Sequence, residues 1–242
     1  FKKSRKIRKH KRKAPKLIPR PSADIILPLR VFGGDTSLFQ FHLMTPIVWI
    51  TRLLVGAYPQ WHGSAPTRKQ RIYFANHTSH LDTIVIWSAL PGALRSTTRP
   101  VAAKDYWTKG LIRRRLAMKE LNVVLVDRRR TEHTNPLEPL KDALAQGDSL
   151  IIFPEGTRRP QELPSEFKSG LWRLMRAFPD VELIPVYIEN LHRALPKGTY
   201  IPVPTVCSVH FGAPLAHSAS DPKAEFLERA RQAVIDLAKV AL

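Results

Sequence analysis

This sequence of 242 residues has almost no cysteine and relatively little acid. Its single cysteine, Cys207, excludes an internal disulfide and any metal site built from several thiolates. That cysteine content fits a reducing compartment. Cys207 lies in the strand-like run Thr205-Val206-Cys207-Ser208-Val209 and reads as a core thiol rather than a nucleophile. No GxSxG occurs, so the chain lacks the nucleophile elbow of a serine hydrolase. There is no internal repeat, and no low-complexity stretch beyond the N-terminal tail. Nor is there a clean transmembrane run. Leu38–Val55 is strongly apolar, but Gln40, His42, Pro46 and Arg52 interrupt it.

Residues 1–20 contain no acid and eleven Lys/Arg, and they lack the apolar centre of a signal peptide. This tail holds most of the net charge of +19, yet the rest of the chain still has 28 basic against 20 acidic residues. Such a surface attracts polyanions, either nucleic acid or an anionic lipid leaflet. The tail has no interleaved aromatics and the chain no recognisable DNA or RNA motif, so no nucleic-acid partner is expected. A basic nucleic-acid-binding protein, or an inactive scaffold on a lipid surface, is the rival from another class. The chain opens on Phe1 rather than Met, as a fragment or processed product does.

With 43% apolar residues the chain can bury a substantial core. Three regions are expected. Residues 1–23 form a basic, Pro-punctuated, disordered tail. Residues 24–69 form an apolar helical membrane-association segment and a linker, the linker running over residues 59–70. Residues 70–242 form the α/β domain. For Leu38–Val55 two readings stand: a helix or helical pair lying in the membrane plane, or a core helix packed on the domain. Beyond residue 70, strands and helices alternate. Strands are expected at Arg71–Ala75, Pro100–Ala103, Asn122–Val126, Ser149–Phe153, Glu182–Ile188 and Val206–Phe211. Helices are expected at Ser79–Leu90, Tyr106–Glu120, Leu137–Gln146, Phe167–Phe178 and Ala224–Val240. The pattern predicts an α/β fold: a mostly parallel or mixed central sheet flanked by helices on both faces, preceded by a membrane-interfacial helical segment.

Chemistry gathers at the predicted strand ends. After Arg71–Ala75 comes Asn76-His77-Thr78-Ser79-His80-Leu81-Asp82. Five helical steps turn a side chain by about 500°, which leaves His77 and Asp82 about 140° apart in a uniform helix. They meet only if His77 sits in the loop and Asp82 reaches back from inside the helix, with Thr78 or Ser79 as N-cap. A carboxylate on one imidazole nitrogen fixes the tautomer and leaves the other as a base. In isolation the same residues read as a cap and a surface charge. His77 and His80 with Asp82 suggest a metal site only superficially, since no third His or Cys block follows. His42, His62, His133, His192, His210 and His217 belong to no constellation. Three further strand ends carry Asp127-Arg128-Arg129-Arg130, Pro154-Glu155-Gly156-Thr157-Arg158-Arg159 and, inside an apolar run, Pro185. A proline there normally marks an edge or a bend. Arginines at several strand ends suit a phosphate-bearing substrate.

In this order the blocks resemble the glycerolipid acyltransferase family, of the 1-acylglycerol-3-phosphate acyltransferase type. Asn76–Asp82 is similar to the family's NHxSxxD block, and Phe153–Arg158 matches its FPEGTR block without a substitution. Asn122–Arg128 resembles the GxxFIDR block in part, with Asn122 in place of Gly, Leu125 in place of Phe, and Asp127-Arg128 kept. Ile184–Ile188 is similar to the fourth, proline-containing block. Ala103-Lys104 and Phe167–Gly170 also match family positions. The resemblance covers about residues 70–215.

It implies transfer of an acyl chain from acyl-CoA or acyl carrier protein to the free hydroxyl of lysophosphatidic acid, giving phosphatidic acid. The same chemistry on glycerol 3-phosphate, another lysophospholipid or a lyso-aminolipid is the alternative. An alkanol is too weak an acid to ionise unaided near neutral pH, so His77, held by Asp82, is the expected base. Arg128 and Arg158, with Lys104, are expected at the acceptor phosphate; Glu155, Gly156 and Thr157 are expected to shape the acceptor site. No metal or other cofactor is expected, the thioester being a co-substrate. Membrane lipids and the thioester carrier are the expected partners. The expected location is the cytoplasmic face of a membrane, the bacterial inner membrane.

Overall fold

Arg71–Ala75 is apolar beyond its first residue, and every one of its five residues is buried. Alternate side chains enter different cores. Tyr73 and Ala75 join one apolar cluster, Ile72 and Phe74 another, so this strand is covered on both faces. The structure, a computed structural model, describes residues 46–79, 81–104, 121–127, 135–159, 161, 163–190 and 207–241. The expected tail, the expected helix Tyr106–Glu120, His80 and Arg128 lie outside the described residues.

The strands are β1 (Tyr58–Trp61), β2 (Arg71–Ala75), β3 (Thr98–Ala103), β4 (Val124–Val126), β5 (Ser149–Ile152), β6 (Glu182–Ile188) and β7 (Ser208–Phe211). They form one sheet in the order β1-β7-β6-β2-β5-β3-β4. β6, β2, β5, β3 and β4 run parallel, β7 is antiparallel to β6, and β1 is parallel to β7. Helices α1 (Pro46–Val55), α2 (Asp82–Ala89) and α3 (Gly92–Arg95) pack on one face. Helices α4 (Glu138–Ala145), α5 (Gly170–Ala177) and α6 (Lys223–Ala241) pack on the other. The expected mixed sheet with helices on both faces is therefore the observed fold.

One side of α1 packs on the domain, as the core-helix reading of its segment expects. Val48, Thr51 and Val55 are buried, and the Arg52 guanidinium donates to the carbonyl of Ser88 on α2 at 2.9 Å. The outward residues are apolar as well: Trp49, Ile50 and Leu54 are exposed, and Leu53 is 84% exposed. No helix among the described residues is long and apolar enough to cross a membrane.

Tertiary contacts shift several expected boundaries. Tyr58–Trp61, which overlaps the stretch expected as linker, forms the edge strand β1, paired to β7 with Trp61 stacked on Phe211 at 4.2 Å between centroids. An edge strand tolerates Pro59 because one side of it makes no ladder bonds. β4 starts at Val124 rather than at Asn122, whose φ of +46° is left-handed and incompatible with a strand. β3 starts two residues before Pro100, and at this proline its pairing passes from β5 to β4. Pro185 does not mark an edge, since β6 lies between β7 and β2. Its carbonyl accepts from Gly212 just past the end of β7, where the ladder runs out and a missing N–H costs little. Gly147 follows the C-cap of α4 at φ +87°, a left-handed conformation that glycine adopts freely.

Candidate active site

Because β6, β2, β5, β3 and β4 are parallel, their C-terminal ends share one edge of the sheet. His77 lies just beyond β2, Phe153–Arg159 follow β5, Lys104 follows β3, and Asp127 follows β4. β2 and β5 are neighbours and β3 is one strand further, so Lys104 leaves the sheet about 10 Å from the strand that carries His77. Open α/β sheets bind ligands at this end because the loops there are free to carry polar groups.

The structure brings His77 and Asp82 together. His77 is in the loop, as the spacing required, and its Nδ1 is 2.7 Å from Asp82 Oδ2. Asp82 is not inside the helix but begins it, where a carboxylate is favoured by the helix dipole. Neither Thr78 nor Ser79 caps the helix with its side chain. Instead their amides donate to Asp82 Oδ2 at 2.7 and 2.9 Å, while Ser79 Oγ accepts from the Leu81 amide. Three donors thus converge on one buried oxygen. Nδ1 of His77 is therefore the protonated nitrogen, and Nε2 keeps its lone pair. Asp82 is fully buried, whereas the His77 ring is 15% exposed. Its face stacks on Phe153, 4.2 Å between centroids. The imidazole is thus held by a carboxylate at one nitrogen and an aromatic ring on one face.

Glu155, expected to shape the acceptor site, is buried and directs both oxygens at protein groups. Oε1 accepts from the His77 amide at 2.9 Å; Oε2 accepts from Ser165 N and Oγ at 3.1 and 2.8 Å. Arg159 N in turn donates to the His77 carbonyl at 3.0 Å. The loop after β5 therefore clasps the backbone of His77 on both sides. Asn76, also buried, uses its amide like a further strand residue: Oδ1 accepts from Ile188 N at 2.9 Å, and Nδ2 donates to Ile188 O. Gly156 turns the loop at φ +71°, and a Cβ there would lie 2.7 Å from Lys168 Nζ. Thr157 and Arg158 are exposed on this loop, and Lys104 is exposed at the end of β3.

Phe153, Ser165 and Lys168 enter the site without having been assigned a role from the sequence. The FPEGTR-like block held the signal for Phe153, which heads it; the Ser165 contact crosses ten residues of loop and leaves no local pattern. Cys207 is buried, and burial, with Glu189 and Asp82 adding to it, pushes its thiol up to about 11. That thiol is a core group, as expected.

The acyltransferase family model, described as "Acyltransferase", matches residues 60–189, more than half of the chain. The chain belongs to this acyltransferase family. A 1-acyl-sn-glycerol-3-phosphate acyltransferase of Limnanthes alba is 28% identical over 177 residues, which cover 70% of this chain and 57% of that protein. A probable 1-acyl-sn-glycerol-3-phosphate acyltransferase of Mycoplasma genitalium is 31% identical over 123 residues, covering 50% of this chain and 44% of the relative. The chain thus spans about half the length of the curated relatives it matches. The crystal structure of the 1-acyl-sn-glycerophosphate acyltransferase PlsC from Thermotoga maritima superposes with a TM-score of 0.61. The overlap covers 84% of this chain and 80% of that one at 21% identity. That likeness is one of fold.

Proposed function

We propose that this acyltransferase moves an acyl chain from a thioester, acyl-CoA or acyl carrier protein, to the hydroxyl of lysophosphatidate, giving phosphatidate. The observation that carries the proposal is the contact of 2.7 Å between His77 Nδ1 and Asp82 Oδ2 at the C-terminal edge of the parallel strands. Nε2 takes the hydroxyl proton as the oxygen attacks the thioester carbonyl carbon. The tetrahedral intermediate collapses, the carbon–sulfur bond breaks, and the leaving sulfur receives the proton from the imidazolium. Asp82 stabilises that imidazolium and keeps its ring in place. Lys104, Arg158 and Arg128 are the cations assigned to the acceptor phosphate, with Gly156 and Thr157 shaping the turn beside it. Glu155 holds His77 by its backbone rather than touching substrate.

The outward apolar side of α1 supports seating on a lipid surface, with Trp49, Ile50, Leu53 and Leu54 toward the acyl chains. The basic residues 1–20 favour the anionic cytoplasmic leaflet. The reaction needs no metal or cofactor.

A detergent-micelle assay with labelled lyso-acceptors and both thioester donors tests the proposal. Transfer to lysophosphatidate well above the other acceptors is expected. Preference for glycerol 3-phosphate or a lyso-aminolipid would move the acceptor assignment, and absence of transfer from either thioester would overturn the reading.

A further inference from the structure

We propose that the open cleft between α4 and α5 receives the phosphorylated nucleotide end of an acyl-CoA donor. The inference rests on the acyl-transfer reading above and extends it to a second region of the molecule. The cleft has a volume of about 350 Å³, within the range of small-molecule sites and far more than a lone phosphate needs. Its lining combines cations with an aromatic plane: Lys141 and Asn135 on one side, Trp172, Arg173 and Arg176 on the other, and Leu137 between. Arg173 and Arg176 are exposed one turn apart on α5, and among the described residues no carboxylate pairs with either. The Arg176 guanidinium lies over the Trp172 ring at 4.8 Å, and the indole is fixed by donating to the Asp221 carbonyl at 3.0 Å. Lys141 is itself paired with Glu138 at 3.0 Å, and Glu138 also accepts from Asn135. A fixed indole beside guanidinium forks suits a ligand with both a flat base and phosphates.

Placement points the same way. α4 and α5 cover the sheet face opposite α1, so the cleft faces water when the apolar side of α1 faces lipid. α5 directly continues the loop that clasps His77: Lys168 N donates to Pro154 O at 2.9 Å, and two residues later α5 begins, with Gly170 against Leu137. The upper end of the cleft thus adjoins the reacting edge. The lipid acceptor enters from one face, and the water-soluble part of the donor rests on the other. A carrier protein has no adenosine phosphate to offer such a pocket.

The test uses the full chain in detergent micelles with Arg173→Ala/Arg176→Ala and Trp172→Phe variants. Adenosine 3′,5′-bisphosphate is the binding probe, followed by calorimetry and by quenching of indole fluorescence. Wild type is expected to bind and to lose the Trp172 part of the quench in Trp172→Phe, and the double-arginine variant to bind at least about tenfold more weakly. The same variant is expected to raise KM for acyl-CoA by a similar factor, with kcat and KM for the lyso-acceptor unchanged. Wild type should prefer acyl-CoA over its 3′-dephospho form, and the variant should not. Arg173→Lys/Arg176→Lys, which keeps charge and fold, should fall between. No binding of the bisphosphate by wild type overturns the proposal, as does an unchanged KM for acyl-CoA. A KM rise confined to acyl carrier protein overturns it in favour of a protein partner. Arginine-dependent binding without transfer from any thioester leaves the cleft standing and removes the acyl-transfer reading instead.

Discussion

The backbone N–H of His77 donates to Glu155 Oε1 at 2.9 Å, so the loop after β5 holds the loop after β2 in place. The pair joins two sequence blocks separated by 78 positions. A residue selected from its motif as a substrate contact is, by its geometry, the fastening for the proposed base. A buried carboxylate with three donors is also sensitive to small changes.

Glu155→Gln leaves one amide NH₂ facing either the His77 amide or Ser165, a donor against a donor. The expected result is a loss of about 1–3 kcal/mol in urea unfolding. Steady-state kinetics should show a lower kcat with little change in KM for either substrate. A large KM rise at full kcat would return Glu155 to the substrate site.

Asp82→Asn separates geometry from charge. Its amide oxygen can keep the three donors while the NH₂ occupies the place of Oδ1, which is buried and has no hydrogen-bond partner among the described residues. The ring therefore stays in place but loses the charge that stabilises the imidazolium. The expected fall in kcat is about 10²- to 10⁴-fold, and His77→Ala should fall at least as far. Circular dichroism checks that both variants fold. Undiminished transfer in either one removes the base assignment.

Gly156→Ala meets two obstacles of different kinds. Lys168 Nζ, at 2.7 Å from the added Cβ, is the end of a flexible side chain and can move. The φ of +71° cannot change without remaking the turn, and an L residue there costs roughly 1–2 kcal/mol. Thermal melts should therefore show Gly156→Ala destabilised, with Lys168→Ala restoring only a small part in the double variant. Full restoration would mean that the clash, not the backbone, was the constraint.

His210 makes stability depend on pH. Burial holds its imidazole below the ordinary value; the bond to Glu189 at 3.4 Å opposes this, and His62, with Nε2 at 3.0 Å from His210 Nδ1, adds to it. Tyr187 and His62 are the other rings facing it. The unfolded chain takes up the proton near the ordinary value of about 6.5, before the native chain does. Stability is thus complete above that pH and declines as pH falls through and below it. Urea midpoints between pH 8 and pH 5 should decline in wild type and decline less in His210→Gln. Equal slopes would assign the decline to other groups.

Leu53→Glu tests the outward side of α1. With 84% of Leu53 exposed, little packing is lost and the melting temperature should hardly move. Flotation with anionic vesicles should fall clearly, because a carboxylate cannot enter the acyl region as leucine does. Unchanged flotation would free α1 from that role.

Much of this molecule was legible along the chain. β2 and β6 have the boundaries that their apolar runs predicted, since a strand buried on both faces is written as a continuous apolar segment. The spacing of His77 and Asp82 required a loop histidine and a returning carboxylate, and both are present. β1 was not legible, because a four-residue edge strand with a proline has no local signature and exists only through β7. Nor were the inward turn of Glu155 or the stacking of Phe153 on His77, which depend on β2 and β5 becoming neighbours.

Residue types and their local spacing determined which groups were at hand: an imidazole, a carboxylate five positions on, and cations at the strand ends. Tertiary structure alone decided which of them meet, because strand order is set by burying both faces of the sheet at once. No segment of the chain carries that condition by itself.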